Sequence, residues 1–426
     1  MDRGREESND HRGRMGWRTP NIAQTEERLR DMSRRLLAQR HVAHVELYHR
    51  LSHTIRVAHA IDDGKDDISH RSGIDEGTAL RLWSEGEGVR FAAVSGGAWG
   101  SIEDAAERAQ RGPVSDCPHD LCAGPEPAAD HDDVPVPDEA ALVPWLAKAR
   151  DRVGRAIERM WVEAAETLET WILDGEVRAT RSRARGWSGL ELAATESGSG
   201  RPLILASRAW NRLDSADWGG LLEWRLAPDR ELREPDRGAG APLVLFSPEC
   251  SATLVSTLVR ASAPIDCEIA VGPGFCVIDA PDEPLALFGG VFDDLGFATS
   301  RQVVADGHAL VAHRSRGTYR RPSFRDTPVA LPAHLVVTPP DTVPPANRWS
   351  IHRLSIHALS ADRWVLDVDA TFWAGGEARG SVPGAHITTG PRELLAACIA
   401  GVGLPVPSHR GVRTPGLLFE GLAVRP

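Results

Sequence analysis

Between residues 45 and 93 the chain alternates apolar and polar side chains with a period of two. Val45 and Leu47, Ile55 and Val57, Leu80 and Leu82, then Val89, Phe91 and Ala93 each fall on one side of an extended backbone. Turn-forming residues interrupt the run at Asp62-Asp63-Gly64, Ser72-Gly73 and Glu85-Gly86-Glu87-Gly88. The spacing predicts an antiparallel meander with one buried face. A helix is predicted before it, over Ala23–Arg40, because Leu29, Met32, Leu36 and Leu37 share a face at helical spacing. Another opens at Ser101, where Ser101-Ile102-Glu103-Asp104 has the spacing of a capping box, and runs to about Arg111.

These elements define an N-terminal α/β domain over 21–112, preceded by a flexible tail over 1–20. Residues 113–137 are rich in Pro and acidic side chains and read as a linker or surface loop. A central helix-plus-strands region follows over 138–235. Its helix is expected from Asp138 to Leu173, carrying Leu142, Trp145, Leu146, Val153, Ile157, Trp161, Leu168 and Trp171, and its strands at Glu176–Ala184, Gly189–Thr195 and Pro202–Ser207. A second break falls at 228–241. Residues 236–426 read as a β-rich, barrel-like or sandwich domain with two helices, Pro248–Ala261 and Arg392–Ala400. The fold class is α+β.

Composition excludes several functions. The 49 Lys and Arg residues against 60 Asp and Glu give a net charge of −11, a poor basis for phosphate neutralisation, so no nucleic-acid partner is expected. The longest apolar run, Leu394–Pro407, contains Gly401, Gly403 and Pro405 and is shorter than the roughly 20 residues of a spanning helix, so no membrane role is expected. The charged N-terminus lacks the apolar core of a signal peptide, and six cysteines suit reduced thiols, so a cytoplasmic location is expected.

No phosphate loop, nucleophile elbow, dinucleotide fingerprint or HExxH or HExxxH motif occurs. The weaker constellations have plain structural readings. Cys117, His119 and Cys122 form at most half a zinc site and are read as a solvated loop. His41, His44, His49, His53 and His59 span a helix end and alternating strands, so they are read as a polar rim rather than a shared metal site. His308 and His313, and His352 and His357, are five apart, a spacing that does not chelate one ion from a strand or a helix. Cys250, early in a predicted helix, is read as a buried small hydrophobe. Asp293-Asp294 is read as a turn cap.

Several segments together resemble the TldD/PmbA family of peptidase-related proteins. They are VELYHRLSHTIRVAHAIDDGKDDIS and GTALRLWSEGEGVRFAAVSG in the meander, LVLFSPECSATLVSTLVRA, GGVFDDLGFATSRQVVADGHALVAHRS, and the ending from TFWAGGEARGSVPGAHITTGPRELLAACIAGVG to TPGLLFEGLAV. The TldD-like branch carries HExxxH on the helix that here reads ECSATLVSTLVRA. Val255, Ser256, Thr257, Leu258 and Val259 stand at the degenerate zinc-helix positions, Glu249 is that helix's only acid, and Cys398 lacks the branch's CGK context in an expected apolar helix. The resemblance is therefore to the PmbA (TldE) branch, which lacks the metal. It implies a non-catalytic subunit of a heterodimeric zinc metallopeptidase: no catalytic or metal residue in this chain, zinc in a TldD-like partner, and extended or unfolded peptides bound as an added strand, in turnover or in maturation of a biosynthetic peptide. The basic stretch Arg314, Arg316, Tyr319, Arg320 and Arg321 departs from the family sequence and is the expected cleft- or peptide-facing group, a solvated basic loop being its plain alternative. The functional alternatives are a non-enzymatic peptide-binding homodimer and an independent metallohydrolase with an atypical site.

Overall fold

The computed structural model describes residues 22–62, 65–84, 88–96, 100–112, 114, 128–131, 137–153, 157–192, 204–210, 243–262, 269–283, 285–286, 288–295, 297–310, 318–321, 323, 325–408 and 410–425. The tail 1–20, Cys117–Cys122, the break at 228–241, His313, Arg314 and Arg316 lie outside them.

The N-terminal half is a seven-stranded sheet. Its strands are β1 (Val42–Asp62), β2 (Lys65–Ser84), β3 (Gly88–Ser95), β4 (Ala128–His131), β5 (Ile157–Leu173), β6 (Glu176–Leu192) and β7 (Ile204–Trp210). The order is β3-β2-β1-β5-β6-β4, with β7 also on β6. The expected meander is present as β1, β2 and β3. Ser72-Gly73, expected as a turn, lies inside β2 opposite Thr54 and Ile55, because the register with β1 runs through it. β4 pairs parallel with β6 inside the stretch expected to be linker.

The helix expected over Asp138–Leu173 divides. Glu139–Val153 is helical, but Ile157–Leu173 is β5, paired with β1 on one side and β6 on the other. Met160, Val162, Ala164, Leu168 and Ile172 are buried at even positions, a period-two set hidden among aromatic residues that also fit a helix. The signal for the strand is Asp174-Gly175, whose φ values of 53° and 83° make the tight turn joining β5 to β6.

Alternation gives the sheet two different faces. Val45, Leu47, Leu80, Leu82 and Ile172 face the helices Ile22–Leu37 and Gly100–Arg111, packing on Leu29, Met32, Leu36, Ile102, Ala105 and Ala106. The opposite face carries Glu46, Tyr48, Arg81, Glu169, Trp171, Arg181, Arg183 and Arg185. The sequence reading left that face to solvent.

The C-terminal half is an open twelve-stranded sheet that does not close into a barrel among the described residues. Its strands are β8 (Leu243–Phe246), β9 (Ile269–Ala270), β10 (Cys276–Asp279), β11 (Gln302–Asp306), β12 (Ala309–Leu310), β15 (Leu335–Val337), β16 (Asp341–Thr342), β17 (Arg348–Ala358), β18 (Trp364–Ala374), β19 (Glu377–Thr389), β20 (Cys398–Pro407) and β21 (Val412–Phe419). A separate two-stranded pair, β13 (Tyr319–Arg320) with β14 (Val329–Ala330), lies beside it. The main order is β19-β18-β17-β8-β21-β15-β10-β11-β12-β9, with β20 on β21 and β16. The helix Pro248–Ser262 packs across β21, β17 and β8. Proline at its first position and Glu249 in its first turn suit a helix start. Ser251 fixes it to the sheet, donating to the Phe246 carbonyl at 3.2 Å and accepting from the Leu417 N–H at 2.9 Å. The second expected helix ends at Ala397, and Cys398 opens β20 instead. Gly272 and Gly274 are needed there. A Cβ on Gly272 would stand 2.1 Å from the Cys398 carbonyl oxygen, and one on Gly274 2.4 Å from the Ala400 nitrogen.

A candidate functional site between the two sheets

The polar face of the first sheet is covered by residues 292–295, 297 and 318–321 of the C-terminal half. Cross-strand register places Glu46 opposite Arg81, and Glu169 opposite Arg181. Glu46 accepts from Arg81 Nε at 3.0 Å, from Arg81 Nη2, and from Arg321 Nη2 at 2.7 Å. Glu169 accepts from the Tyr48 hydroxyl and from Arg181 Nε, both at 2.5 Å. Arg181 also donates to Asp294 at 3.0 Å, and Asp294 accepts from the Arg321 backbone N–H at 2.5 Å. Three carboxylates thus meet three guanidinium groups, each residue between 1 and 7 % exposed. Aromatic rings frame them: the Arg181 guanidinium lies 4.9 Å from the Trp171 ring and 5.6 Å from Phe292, and Arg321 lies 4.9 Å from Tyr48.

Burial disfavours the charge on Glu169, yet Arg181 and Arg50 outweigh it and hold the carboxyl well below its usual range. Burial also opposes the charge on Arg181, and Glu169 and Asp294 reverse that and raise it. Arg321 is shifted down, burial prevailing over Glu46. The Tyr48 hydroxyl is pushed far up by burial and by Glu169, so it stays protonated as a donor.

Asp293 caps the turn, as expected, accepting from the N–H groups of Leu295 and Phe297 at 2.9 Å and of Tyr319 at 3.2 Å. Its neighbour Asp294 does more, tying this turn to β6. Of the expected peptide-facing group, Arg320 and Arg321 are 0 % and 1 % exposed and Tyr319 is half-buried, so these three do not face an open surface; Arg314 and Arg316 lie outside the described residues. Glu46, Tyr48, Arg81, Glu169 and Arg181 were missed in the sequence because polar positions of a half-buried strand normally face water.

Beside this cluster is a cavity of about 500 Å³, lined by Arg183 and Arg185 of β6 on one side and by Pro281–Glu283, Gly289–Val291 and Thr299–Arg301 on the other. Arg301 pairs with Asp282 at 2.8 Å and Glu283 at 3.4 Å, and Arg413 pairs with Glu283 at 3.3 Å. His334, adjoining at the Ala280 backbone, is 1 % exposed, and neither ring nitrogen has a hydrogen-bond partner among the described residues. Burial, then the nearby Arg413, lowers its pKa to about 4.

The helix Pro248–Ser262 does not fit a metal. Zinc takes Cys, His or carboxylate donors. Val255, Leu258 and Val259 have none and sit in the C-terminal core. Ser256 is almost fully buried, and the Thr257 hydroxyl donates to the Thr253 carbonyl at 2.8 Å. Burial pushes Cys250 up to about 12, an inert thiol. His49 is buried within 3.0 Å of the Thr78 hydroxyl and lowered by burial to about 4. The other histidines of that stretch are dispersed. Among the described residues, no group of three His, Cys, Asp or Glu is placed to hold a metal ion.

No family model matches the sequence, and no curated protein matches it. Solved structures do share the fold. TldE from Thermococcus kodakarensis aligns with a TM-score of 0.71 at 16% identity, over 94% of this chain and 100% of that one. A proposed modulator of DNA gyrase from Thermotoga maritima aligns at 0.70 and 12% identity, over 93% and 100%. Another, from Bacteroides thetaiotaomicron, aligns at 0.66 and 12% identity, over 95% and 99%.

Proposed function

We propose that this chain is a TldE-like member of the TldD/PmbA family, the metal-free subunit of a zinc peptidase that acts on extended peptides. Shared fold along almost the whole length supports the family reading. The observation that carries the role is the helix Pro248–Ser262: where a TldD-like chain places HExxxH, this helix offers Val255, Leu258 and Val259 sealed in the core and the hydroxyls of Ser256 and Thr257. Hydrolysis by zinc needs protein ligands, an open coordination position and a general base. In this reading a TldD-like partner supplies them, and this chain supplies a wall of the cleft. Sheet edges suit such a role, since main-chain hydrogen bonding gives sequence-tolerant affinity for extended peptides. No helix among the described residues is long and apolar enough to cross a membrane, and the reading places the complex in the cytoplasm.

Purification of the tagged chain from its native host tests the proposal. The expected result is co-purification of a second, HExxxH-bearing chain, with zinc and peptidase activity in the complex and neither in this chain alone. Stoichiometric zinc or full peptidase activity in the isolated chain would overturn it in favour of an independent enzyme. Peptide binding by a homodimer that recruits no second chain would favour the non-enzymatic alternative.

A further inference from the structure

β2 outruns the strand on its outer side. Its residues Gly77–Ser84 pair with β3, and the Gly96 N–H extends that cover by donating to the Glu76 carbonyl at 2.7 Å. From Lys65 to Asp75, β2 pairs with β1 alone among the described residues. Every residue from Asp67 to Asp75 is exposed. On a strand bordered on one side, alternate residues turn N–H and C=O away from the neighbour, so this edge presents unpaired main-chain groups to water. Natural sheets blunt such edges with proline or a bulge. Asp67–Asp75 contains no proline, and its register on β1 is unbroken.

Side chains on this edge sort by face. Leu80 and Leu82 face the helices, so Ile68, His70, Ser72 and Ile74 lie on that side, and Asp67, Ser69, Arg71 and Asp75 on the other. Ile68 and Ile74 are 47 % and 66 % exposed. Two of the charged groups are already answered: His70 lies 3.0 Å from Glu139, and Asp75 lies 3.6 Å from Arg325. Asp67 and Arg71 have no ion pair or side-chain hydrogen bond among the described residues. Four residues apart on one strand, they stand roughly 13 Å from each other, too far to pair.

We infer that the Asp67–Asp75 edge of β2 binds an extended peptide as an added antiparallel strand, selected by an acid opposite Arg71 and a cation opposite Asp67. Both present neighbours of β2 run antiparallel to it, and the added strand continues that pattern. Along such a strand an apolar residue meets Ile74. An acid three residues on meets Arg71, a second apolar residue three further on meets Ile68, and the next residue, a cation, meets Asp67. Main-chain bonds supply the affinity, and the cross-strand pairs supply the choice. A second copy of this chain suits the edge less well. The two-fold register that sets Ile68 against Ile74 also sets Asp67 against Asp75 and Arg71 against itself. That the occupant is a peptide rests on the proposed function; the edge and the sequence it selects rest on β2.

Fluorescence anisotropy with the full chain and labelled, end-capped octapeptides tests it. The first peptide is Val-Thr-Thr-Glu-Thr-Thr-Val-Lys, and the second has its Glu and Lys exchanged. The first should bind at least about fivefold more tightly than the second. In a variant carrying both Asp67→Lys and Arg71→Glu, two exposed changes, the preference should reverse. N-methylation of one set of alternate residues in the first peptide should abolish binding, and of the other set should leave it, as strand addition requires. Absence of binding, equal binding of the two peptides, a preference that the double variant does not reverse, or the same response to both N-methylated sets overturns the inference. Sedimentation at the assay concentration separates one such outcome: a dimeric chain that binds neither peptide assigns the edge to a second copy. These measurements use this chain alone, so their result is separate from co-purification with a zinc-bearing subunit.

Discussion

The helix Pro248–Ser262 and the junction between the two sheets are both buried, and by opposite means. The helix hides Leu254, Val255, Leu258 and Val259, whose burial is worth about 1.5–3 kcal/mol each with no partner required. The junction hides Glu46, Glu169, Asp294, Arg81, Arg181 and Arg321, each of which loses hydration and is repaid only by exact partners. The difference teaches what each region can do. The helix tolerates any shape-filling hydrophobe and is chemically silent. The junction has one arrangement of donors and acceptors, which fixes where Asp294 and Arg321 lie on the first sheet.

If that contrast is right, substitutions should separate the two regions. Arg181→Ala leaves Glu169 and Asp294 buried without their shared cation, and should cost about 3–5 kcal/mol in urea unfolding. A cost below 1 kcal/mol would mean the junction is wetter than its burial indicates. Leu258→Ala, which only opens a cavity in the C-terminal core, should cost about 2–5 kcal/mol. That loss should be recovered in part by Leu258→Met, whereas no apolar replacement of Arg181 alone should rescue the two acids.

Acid sharpens the comparison. His49 and His334 have folded pKa values near 4, below the ordinary value of about 6.5. The folded state therefore holds fewer protons between those values. Stability is full above pH 6.5 and is lost as pH falls toward 4, by about 2–3 kcal/mol per imidazole at pH 4.5. Glu169, depressed by its arginines, adds a further loss only below its unfolded value of about 4.3. Urea midpoints at pH 7.5, 5.5 and 4.5 check the order, and His49→Gln should flatten the upper part of the curve. The smallest effect belongs to Arg301→Ala, an exposed pair partner of Asp282, which should change stability by less than about 1 kcal/mol and should fade in salt.

Much of the fold was legible where burial is one-sided. The face of Ile22–Leu37 and the helix Pro248–Ser262 follow from spacing, because each places its apolar residues against a single core; the meander's alternation was legible too, but Val45, Leu47, Leu80 and Leu82 face the helices while Phe91 and Ala93 pack on the other side with Tyr48 and Phe292. Ile157–Leu173 was not legible in that way. Its aromatic and aliphatic residues satisfy both periods over short windows, and pairing with β1 and β6 decided between them. Cys398 passed from expected helix to strand for a related reason: the close approach of Gly272 and Gly274 to β20 replaces helical hydrogen bonds with contacts across the chain. The candidate site was the least legible part. Asp293-Asp294 stood out as a pair, but its partners Arg181 and Arg321 lie 113 and 27 residues away from Asp294.

Sequence alone determined the absence of HExxxH on Pro248–Ser262, the helix starts and the alternation of the first sheet, because these depend on which residues stand at which local spacing. Only the tertiary structure decided that the polar side of that sheet is interior. Neutralising Glu46, Glu169 and Asp294 takes cations from strands and turns far apart in the chain, and a one-dimensional pattern carries no distance between them.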